Sequence, residues 1–167
     1  MRRALELARG GGANLADGVT LPRAERYRRR GRLTTDAGED VLLDLPEATE
    51  MNDGDALVLD DGRRLAVRAA AEPLYRVTAG SARALARLAW HVGNRHLPAE
   101  IGEDALVIER DHVVADMIRR LGGTVEAIEA PFSPEGGAYG HGRTHAHAHH
   151  HDPHADPNAH IPHRHGG

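Results

Sequence analysis

Histidine is the residue whose number and spacing point most directly to chemistry in this sequence. The chain has 167 residues with 13 histidines and no cysteine. Imidazole suits Zn, Ni, Cu and Fe, and the lack of thiolate argues against soft Cu(I) trafficking. A flexible chain in which histidines are interleaved with small and polar residues can fold several ring nitrogens around one ion. The sequence therefore predicts metal binding by ten histidines near its end: His141, His145, His147, His149, His150, His151, His154, His160, His163 and His165.

Two other interpretations of residues 141–167 remain open. A purification tag is one, although tags are usually uninterrupted runs and the longest run here is three, at His149–His151. A low-complexity solubilising tail without ligands is the other. If the segment binds metal, we expect little selectivity, because an unstructured multi-histidine ligand takes late first-row ions in Irving–Williams order. Ni(II), Zn(II) and Cu(II) would then compete for the same nitrogens.

Three further histidines, His91, His96 and His112, lie in the part of the sequence that is predicted to fold. A lone histidine near a helix end is more often a satisfied surface or core residue than a ligand. His91 stands five residues before His96, a spacing that does not place both on one helix face, and we interpret it as structural. His112 follows Asp111 at a predicted helix start, where a ligand role and an ordinary role are equally open. The acidic residues around that helix start are expected to cap it, and no enzyme is predicted.

Composition excludes several classes of function. All 21 basic residues are arginine, so Schiff-base chemistry and a lysine-bearing phosphate loop are excluded. With 25 acidic residues the net charge is −4, which does not indicate a nucleic-acid-binding protein. No stretch approaches the ~18 apolar residues that cross a bilayer, and no signal peptide is recognisable. We therefore expect a cytoplasmic protein that binds neither nucleic acid nor membrane.

Residues 27–77 show short apolar runs separated by turns, which is typical of a small barrel or sandwich. Two Asp-Gly turns, ending at Gly54 and Gly62, are strong hairpin signals because glycine accepts a positive φ. Alternation along the arginine-rich run predicts one wet or acid-paired face, with a protein-docking surface as the alternative: Arg26, Arg28, Arg30 and Arg32.

Residues 74–130 predict two β–α units. Ser81 caps a helix that ends at Gly93-Asn94, and Asp111 caps a second helix that ends at Gly122-Gly123. The apolar stripe of the second helix is predicted as Val113, Val114, Met117, Ile118 and Leu121. The order βαββαβ predicts an α+β protein: a small all-β domain over 1–75, a ferredoxin-like domain over 76–140 and a disordered histidine-rich tail over 141–167.

Several motifs in succession carry a family resemblance. The longest is Trp90-His-Val-Gly-Asn-Arg-His-Leu-Pro98, and it is followed by Leu106-Val-Ile108 and Asp111-His-Val-Val-Ala-Asp-Met117. With the upstream run Glu25–Asp36, the Asp53-Gly-Asp55 turn, Pro131–Glu135 and the histidine tail, the sequence resembles the UreE family of urease accessory proteins. The likeness extends from about Leu21 onward.

The resemblance implies a nickel metallochaperone. It implies a cytoplasmic homodimer that binds Ni(II) and passes it, with a urease accessory GTPase, to the urease apoprotein complex. It also implies a peptide-binding-like first domain and a second domain that dimerises and holds metal. The motif histidine is His96, the implied interface ligand, and His112 matches a further family histidine, whereas Arg110 stands where certain members have another. The alternative is a histidine-rich protein that stores or buffers Ni or Zn without a urease client.

Overall fold

A computed structural model describes residues 1–136 of the protein. They form a mostly β, α+β structure of two domains with two α-helices. The strands are β1 (Arg2–Ala8), β2 (Gly18–Leu21), β3 (Tyr27–Thr34), β4 (Asp40–Glu50), β5 (Ala56–Leu59), β6 (Arg64–Ala69), β7 (Ala71–Thr78), β8 (Ala99–Ile101), β9 (Leu106–Glu109) and β10 (Thr124–Pro131). The helices are α1 (Ala82–Asn94) and α2 (His112–Arg120), and a short 3-10 helix spans Arg23–Glu25.

The first domain is one six-stranded sheet, in the order β2-β6-β5-β1-β4-β3. The six strands form one sheet rather than the two of a sandwich, and its outer strands β2 and β3 do not pair with each other. The core consists of buried aliphatic side chains and one methionine, including Val19, Leu33, Val41, Leu43, Met51, Leu57, Leu65 and Val67. Gly54 and Gly62 both have positive φ, as the two predicted turns require.

The sequence did not predict β1 and β2. β1 lies in the middle of the sheet, parallel to β4 and antiparallel to β5. Its register shifts between Ala4 and Glu6, so the apolar residues of the strand do not alternate in the way that identifies a strand in sequence. β4 also runs on through Pro46, which has no backbone N–H to donate. The missing N–H costs no ladder bond there, because β3 and β4 shift register between Arg28 and Arg30.

The arginine-rich run is partly an acid-paired face. Arg28 pairs with Glu25, Arg30 with Asp44 and Arg32 with Asp40. The prediction that Arg26 shares this wet face is wrong. Arg26 precedes β3, is 3% exposed, and donates a hydrogen bond from Nη2 to the carbonyl of Phe132.

Arg26 and Arg23 join the two halves of the chain. The Arg23 guanidinium lies 5.8 Å from the ring centroid of Phe132, and its Nη1 donates to Glu109. Its backbone N–H donates to Glu72 at 2.9 Å. Phe132 is fully buried. The segment after β10 is therefore fixed against the first domain.

The second half runs β7-α1-β8-β9-α2-β10, and its sheet has the order β10-β7-β9-β8. The core between this sheet and the helices contains Val77, Leu85, Leu88, Val92, Leu106, Ile108, Val114 and Ile118. Val113 was predicted in the buried stripe of α2, but this is wrong: its side chain is 52% exposed. Ala115 is buried instead, since it lies closer to the face centred on Val114 and Ile118.

Candidate metal centre

The end of α1 fixes the backbone of His96. The helix ends at Asn94, and the N–H of His96 donates to the carbonyl of Gly93 at 2.9 Å. The N–H of Leu97 donates to Val92 at 3.5 Å. These two bonds form a Schellman motif, in which the residue after the C-cap adopts left-handed geometry. The sequence favoured Gly93-Asn94 for that geometry, but both lie inside the helix and the left-handed residue is His96.

The backbone of His96 is strained in this position. Its φ is +56°, and it is the one non-glycine residue with a positive φ among residues 1–136. For an L-amino acid this region costs roughly 1–2 kcal/mol, although histidine tolerates it better than most. The side chain is exposed. The imidazole therefore stands in solvent at the end of a helix on a backbone that glycine would adopt more easily.

His112 is the first residue of α2 and is also exposed. Asp111 caps this helix, as predicted: its Oδ1 accepts from the N–H of Val113 at 2.8 Å and of Val114 at 3.1 Å. The cap orients the first turn of α2 and leaves the imidazole outside the core.

The residues next to His96 and His112 meet at one small pocket. Leu97, next to His96, and Asp111, next to His112, both line this pocket of about 100 Å³, whereas neither histidine does. Nε of Arg95 donates to the sulfur of Met117 at 3.1 Å and so joins the end of α1 to α2. The pocket is smaller than the ~300–1,000 Å³ of small-molecule sites.

His91 differs from these two residues. It is half-buried, and its ring packs edge-on against Trp90 with the centroids 5.0 Å apart. This contact supports the interpretation of His91 as structural.

The chain leaves the second domain close to His96. The N–H of Glu135 donates to the carbonyl of Ala99 at 2.8 Å, and the N–H of Ser133 donates to Glu100 at 3.2 Å. Ala99 is three residues beyond His96, so the described chain ends beside the β8 strand that follows this histidine. The ten predicted ligands from His141 to His165, and the predicted disordered tail, lie outside the described residues.

Within residues 1–136 of one chain, no group of three or more His, Asp or Glu side chains is arranged to hold a metal ion. A stable site needs about four ligands for Zn and often more for other divalent ions. Any ion held by His96 or His112 would therefore need ligands from outside this part of the chain.

Two family profiles together match most of the chain. Residues 3–70 match the profile described as UreE urease accessory protein, N-terminal domain, and residues 72–165 match that of the C-terminal domain. The chain belongs to the UreE family. The resemblance predicted from the motifs is confirmed. UreE proteins are accessory proteins rather than enzymes, which agrees with the prediction from sequence.

Individual UreE proteins are similar over about three quarters of the chain. The urease accessory protein UreE of Chelativorans sp. (strain BNC1) is 56% identical over 123 residues, which is 74% of this chain and 78% of the relative. That of Ruegeria pomeroyi is 50% identical over 129 residues, 77% of this chain and 85% of the relative. That of Rhodopseudomonas palustris (strain HaA2) is 56% identical over 124 residues, 74% of this chain but only 58% of the longer relative.

The structure adds two features of this UreE protein that sequence reasoning missed. One is the left-handed backbone of His96. The other is the set of contacts from Arg23 and Arg26 to Phe132.

Neither helix of residues 1–136 is long and apolar enough to cross a membrane.

Proposed function

We propose that this UreE protein is a nickel metallochaperone that delivers Ni(II) during assembly of the urease metal centre. The observation that carries the proposal is the exposed imidazole of His96, held at the end of α1 on a left-handed backbone. A strained backbone persists where the surrounding structure demands it, and such positions concentrate at functional sites. Glycine would relieve the strain but has no ligand.

The proposed site forms between two copies of the chain in a homodimer. A two-fold axis beside His96 brings the same imidazole from both subunits face to face, which supplies two ligands. The incomplete ligand set within residues 1–136 supports this arrangement. His112 is the next candidate ligand, because its neighbour Asp111 lines the same pocket as Leu97, the neighbour of His96.

The remaining ligands of the proposal come from the tail. His141, His145, His147, His149, His150, His151, His154, His160, His163 and His165 follow a chain that is held to Ala99 through Glu135. Tethering gives a local ligand concentration of about millimolar for a short flexible linker. Exchangeable imidazole and water ligands suit a carrier, because a closed cage of fixed ligands would retain the ion. Zn(II) and Cu(II) compete for the same nitrogens.

The architecture of the proposal follows the sequence prediction. We propose a first domain over 1–75, a ferredoxin-like domain over 76–140 and a metal-binding tail over 141–167, with β7 crossing the first boundary and pairing in the second sheet. The order β7-α1-β8-β9-α2-β10 supports the ferredoxin-like arrangement. The partners are the urease accessory GTPase and the urease apoprotein complex, and we propose a cytoplasmic location.

Activation of purified urease apoprotein tests the proposed function. Nickel-loaded protein is mixed with the apoprotein, the accessory GTPase and GTP, in a chelator that holds free nickel below the activating level, and urea hydrolysis is followed. We expect the full chain to activate urease and His96→Ala to activate it at least tenfold more slowly. His91→Ala is the matched control, since His91 lies on α1, the helix whose end positions His96, but packs against Trp90.

The same assay separates delivery from storage. A storage protein would yield nickel no faster than the same amount of metal held by an unrelated histidine-rich peptide. Equal rates from this protein and from the peptide would contradict the proposal and favour nickel or zinc buffering without a urease client.

A further inference from the structure

The outer face of α1 carries large side chains that lie outside the core of the domain. We define the α1 outer face as Arg83, Arg87 and Trp90, which follow at i, i+4 and i+7 and so lie in one row along the helix. The row is opposite the buried stripe of Leu85, Leu88 and Val92. All three side chains are exposed.

The arginines of the α1 outer face lack the acidic partners that several other arginines have. Within residues 1–136, the side chains of Arg83 and Arg87 form no ion pair or hydrogen bond, whereas Arg28, Arg30 and Arg32 of β3 pair with Glu25, Asp44 and Asp40. α1 contains no acidic residue, and the one acidic residue of α2, Asp116, pairs with Arg119. A protein of net charge −4 therefore presents a basic helix surface.

Trp90 adds an apolar element to this face. It is the single tryptophan of the chain and its side chain is 65% exposed. Tryptophan and arginine are the residue types most enriched among the residues that dominate binding energy at protein interfaces. An exposed tryptophan next to two arginines is thus typical of a docking surface.

We propose that the α1 outer face docks an acidic segment of the accessory GTPase that receives the nickel. This inference rests on the proposed function. α1 ends two residues before His96, so a partner lying along the helix reaches the metal ligand. From Arg83 to the helix end at Asn94 is roughly 16 Å at about 1.5 Å per residue. Complementary charge would steer association and fix the register of the partner on the helix.

Charge argues against two other occupants. Nucleic acid needs several phosphates neutralised, typically about 6–10, and two arginines on an acidic protein are too few. A second copy that used this face against itself, across a two-fold axis beside Arg83 and Arg87, would set arginine against arginine. Carboxylates of a partner protein neutralise both guanidiniums while Trp90 is buried.

Binding of the nickel-loaded full chain to the purified accessory GTPase tests the proposal by biolayer interferometry at 50 and 200 mM NaCl. We expect the double variant Arg83→Glu/Arg87→Glu to weaken binding at least tenfold at low salt and to lose most of the salt dependence. Arg29→Glu/Arg64→Glu is the matched control, because it makes the same charge change at exposed arginines that form no ion pair within residues 1–136. It should change the affinity less than twofold.

Trp90 supplies an independent signal, since 5-fluorotryptophan labels this one position of the chain. Its fluorine resonance should shift when the GTPase binds to the unmodified sequence and should not shift in the arginine double variant. Equal weakening in both double variants, unchanged binding in Arg83→Glu/Arg87→Glu, or no GTPase binding by the unmodified sequence would each overturn the docking proposal. So would a shift on concentration of this protein alone, which would show a second copy on the face.

Nickel dialysis of the same samples keeps the two proposals apart. The Arg83→Glu/Arg87→Glu variant should bind as much nickel as the unmodified sequence. If the unmodified protein binds no nickel, the proposed function fails; if nickel binding is intact and docking is insensitive to the arginines, only the docking proposal fails.

Discussion

His96 and Gly122 occupy the same structural position at the ends of the two helices. Each lies one residue after the C-cap, with φ of +56° at His96 and +85° at Gly122. Each donates its N–H to the second-last residue of its helix, at 2.9 Å for His96 and 3.0 Å for Gly122. Glycine is the usual residue at this position. α1 therefore ends on a residue that is worse for stability and better for ligation.

We predict that His96→Gly stabilises the metal-free protein. Glycine relieves roughly 1–2 kcal/mol of left-handed strain and returns about 0.5–1 kcal/mol through the greater freedom of the unfolded chain, so the net gain is about 0.5–1 kcal/mol. Urea denaturation in EDTA at fixed protein concentration measures it.

Two further variants control for this gain: one makes the reverse change at the equivalent position of α2, and the other places glycine inside α1. Gly122→His should cost about 0.5–1 kcal/mol, and His91→Gly should cost about 1 kcal/mol because it places glycine inside a helix. Loss of stability in His96→Gly would contradict the strain assigned to this residue.

The cap of α2 gives a second prediction. Asp111→Ala removes the acceptor of the N–H groups of Val113 and Val114 and should lower the free energy of unfolding by about 1 kcal/mol. Asp111→Ser keeps a capping oxygen and should restore most of the loss. Thermal unfolding of the metal-free variants measures these changes in stability. An Asp111→Ala protein as stable as the unmodified one would contradict the stabilising role of Asp111 as the N-cap of α2.

Ion pairs of the first domain predict its response to acid. The guanidiniums of Arg2 and Arg63 hold the pKa of Glu39 below its usual value, and Arg32 and Arg3 do the same for Asp40 and Asp44. A carboxyl whose pKa is lowered by folding binds protons more weakly in the folded state. The unfolded chain therefore takes up protons first, and the stability due to these pairs is complete above roughly pH 4–5 and lost as the pH falls through the folded-state pKa values.

Thermal unfolding between pH 6 and pH 2.5 checks this dependence. We expect the midpoint to fall below roughly pH 4, with a smaller fall in Glu39→Gln, because that side chain no longer titrates. High salt should reduce the contribution, since the pairs are at the surface. A midpoint that is equally sensitive to acid in Glu39→Gln would contradict a role for this carboxylate.

The sequence predicted the two helices well because their signals are local. The caps Ser81 and Asp111 and the 3.6-residue periodicity lie within each helix, so both helices were expected within two residues of their observed ends. The β1 strand was missed because its place in the middle of the sheet depends on partners more than 30 residues away.

The candidate site was predicted by residue type rather than by geometry. His96 was singled out through a motif, but its left-handed backbone follows from where α1 ends, and glycine at residue 93 offered a competing end point. The burial of Arg26 could not be expected either, since its partner Phe132 is 106 residues away.

The link between Glu135 and Ala99 yields a prediction about the tail. Glu135→Pro removes the N–H that donates to Ala99, whereas Glu135→Ala keeps it. If this bond holds the start of the tail near His96, Glu135→Pro should weaken nickel binding severalfold in the full chain, because the local concentration of tail histidines falls. Competition titration against a nickel chelator measures the affinity.

Truncated proteins supply the control for this prediction. In a chain that ends at Gly140, neither Glu135→Pro nor Glu135→Ala should alter nickel affinity, since the tail is absent. Equal weakening by both substitutions in the full chain would assign the effect to the carboxylate rather than to the tether.

Nickel stoichiometry of the chain truncated at Gly140 tests the central claim most directly. Equilibrium dialysis, with the mass of the complex measured in solution, should find fewer ions than in the full chain but a residual site of one ion per dimer. Adding His96→Ala should abolish that residual site, whereas adding His91→Ala should leave it intact. Unchanged stoichiometry after His96→Ala would contradict the role of His96 as the nickel ligand of the folded protein.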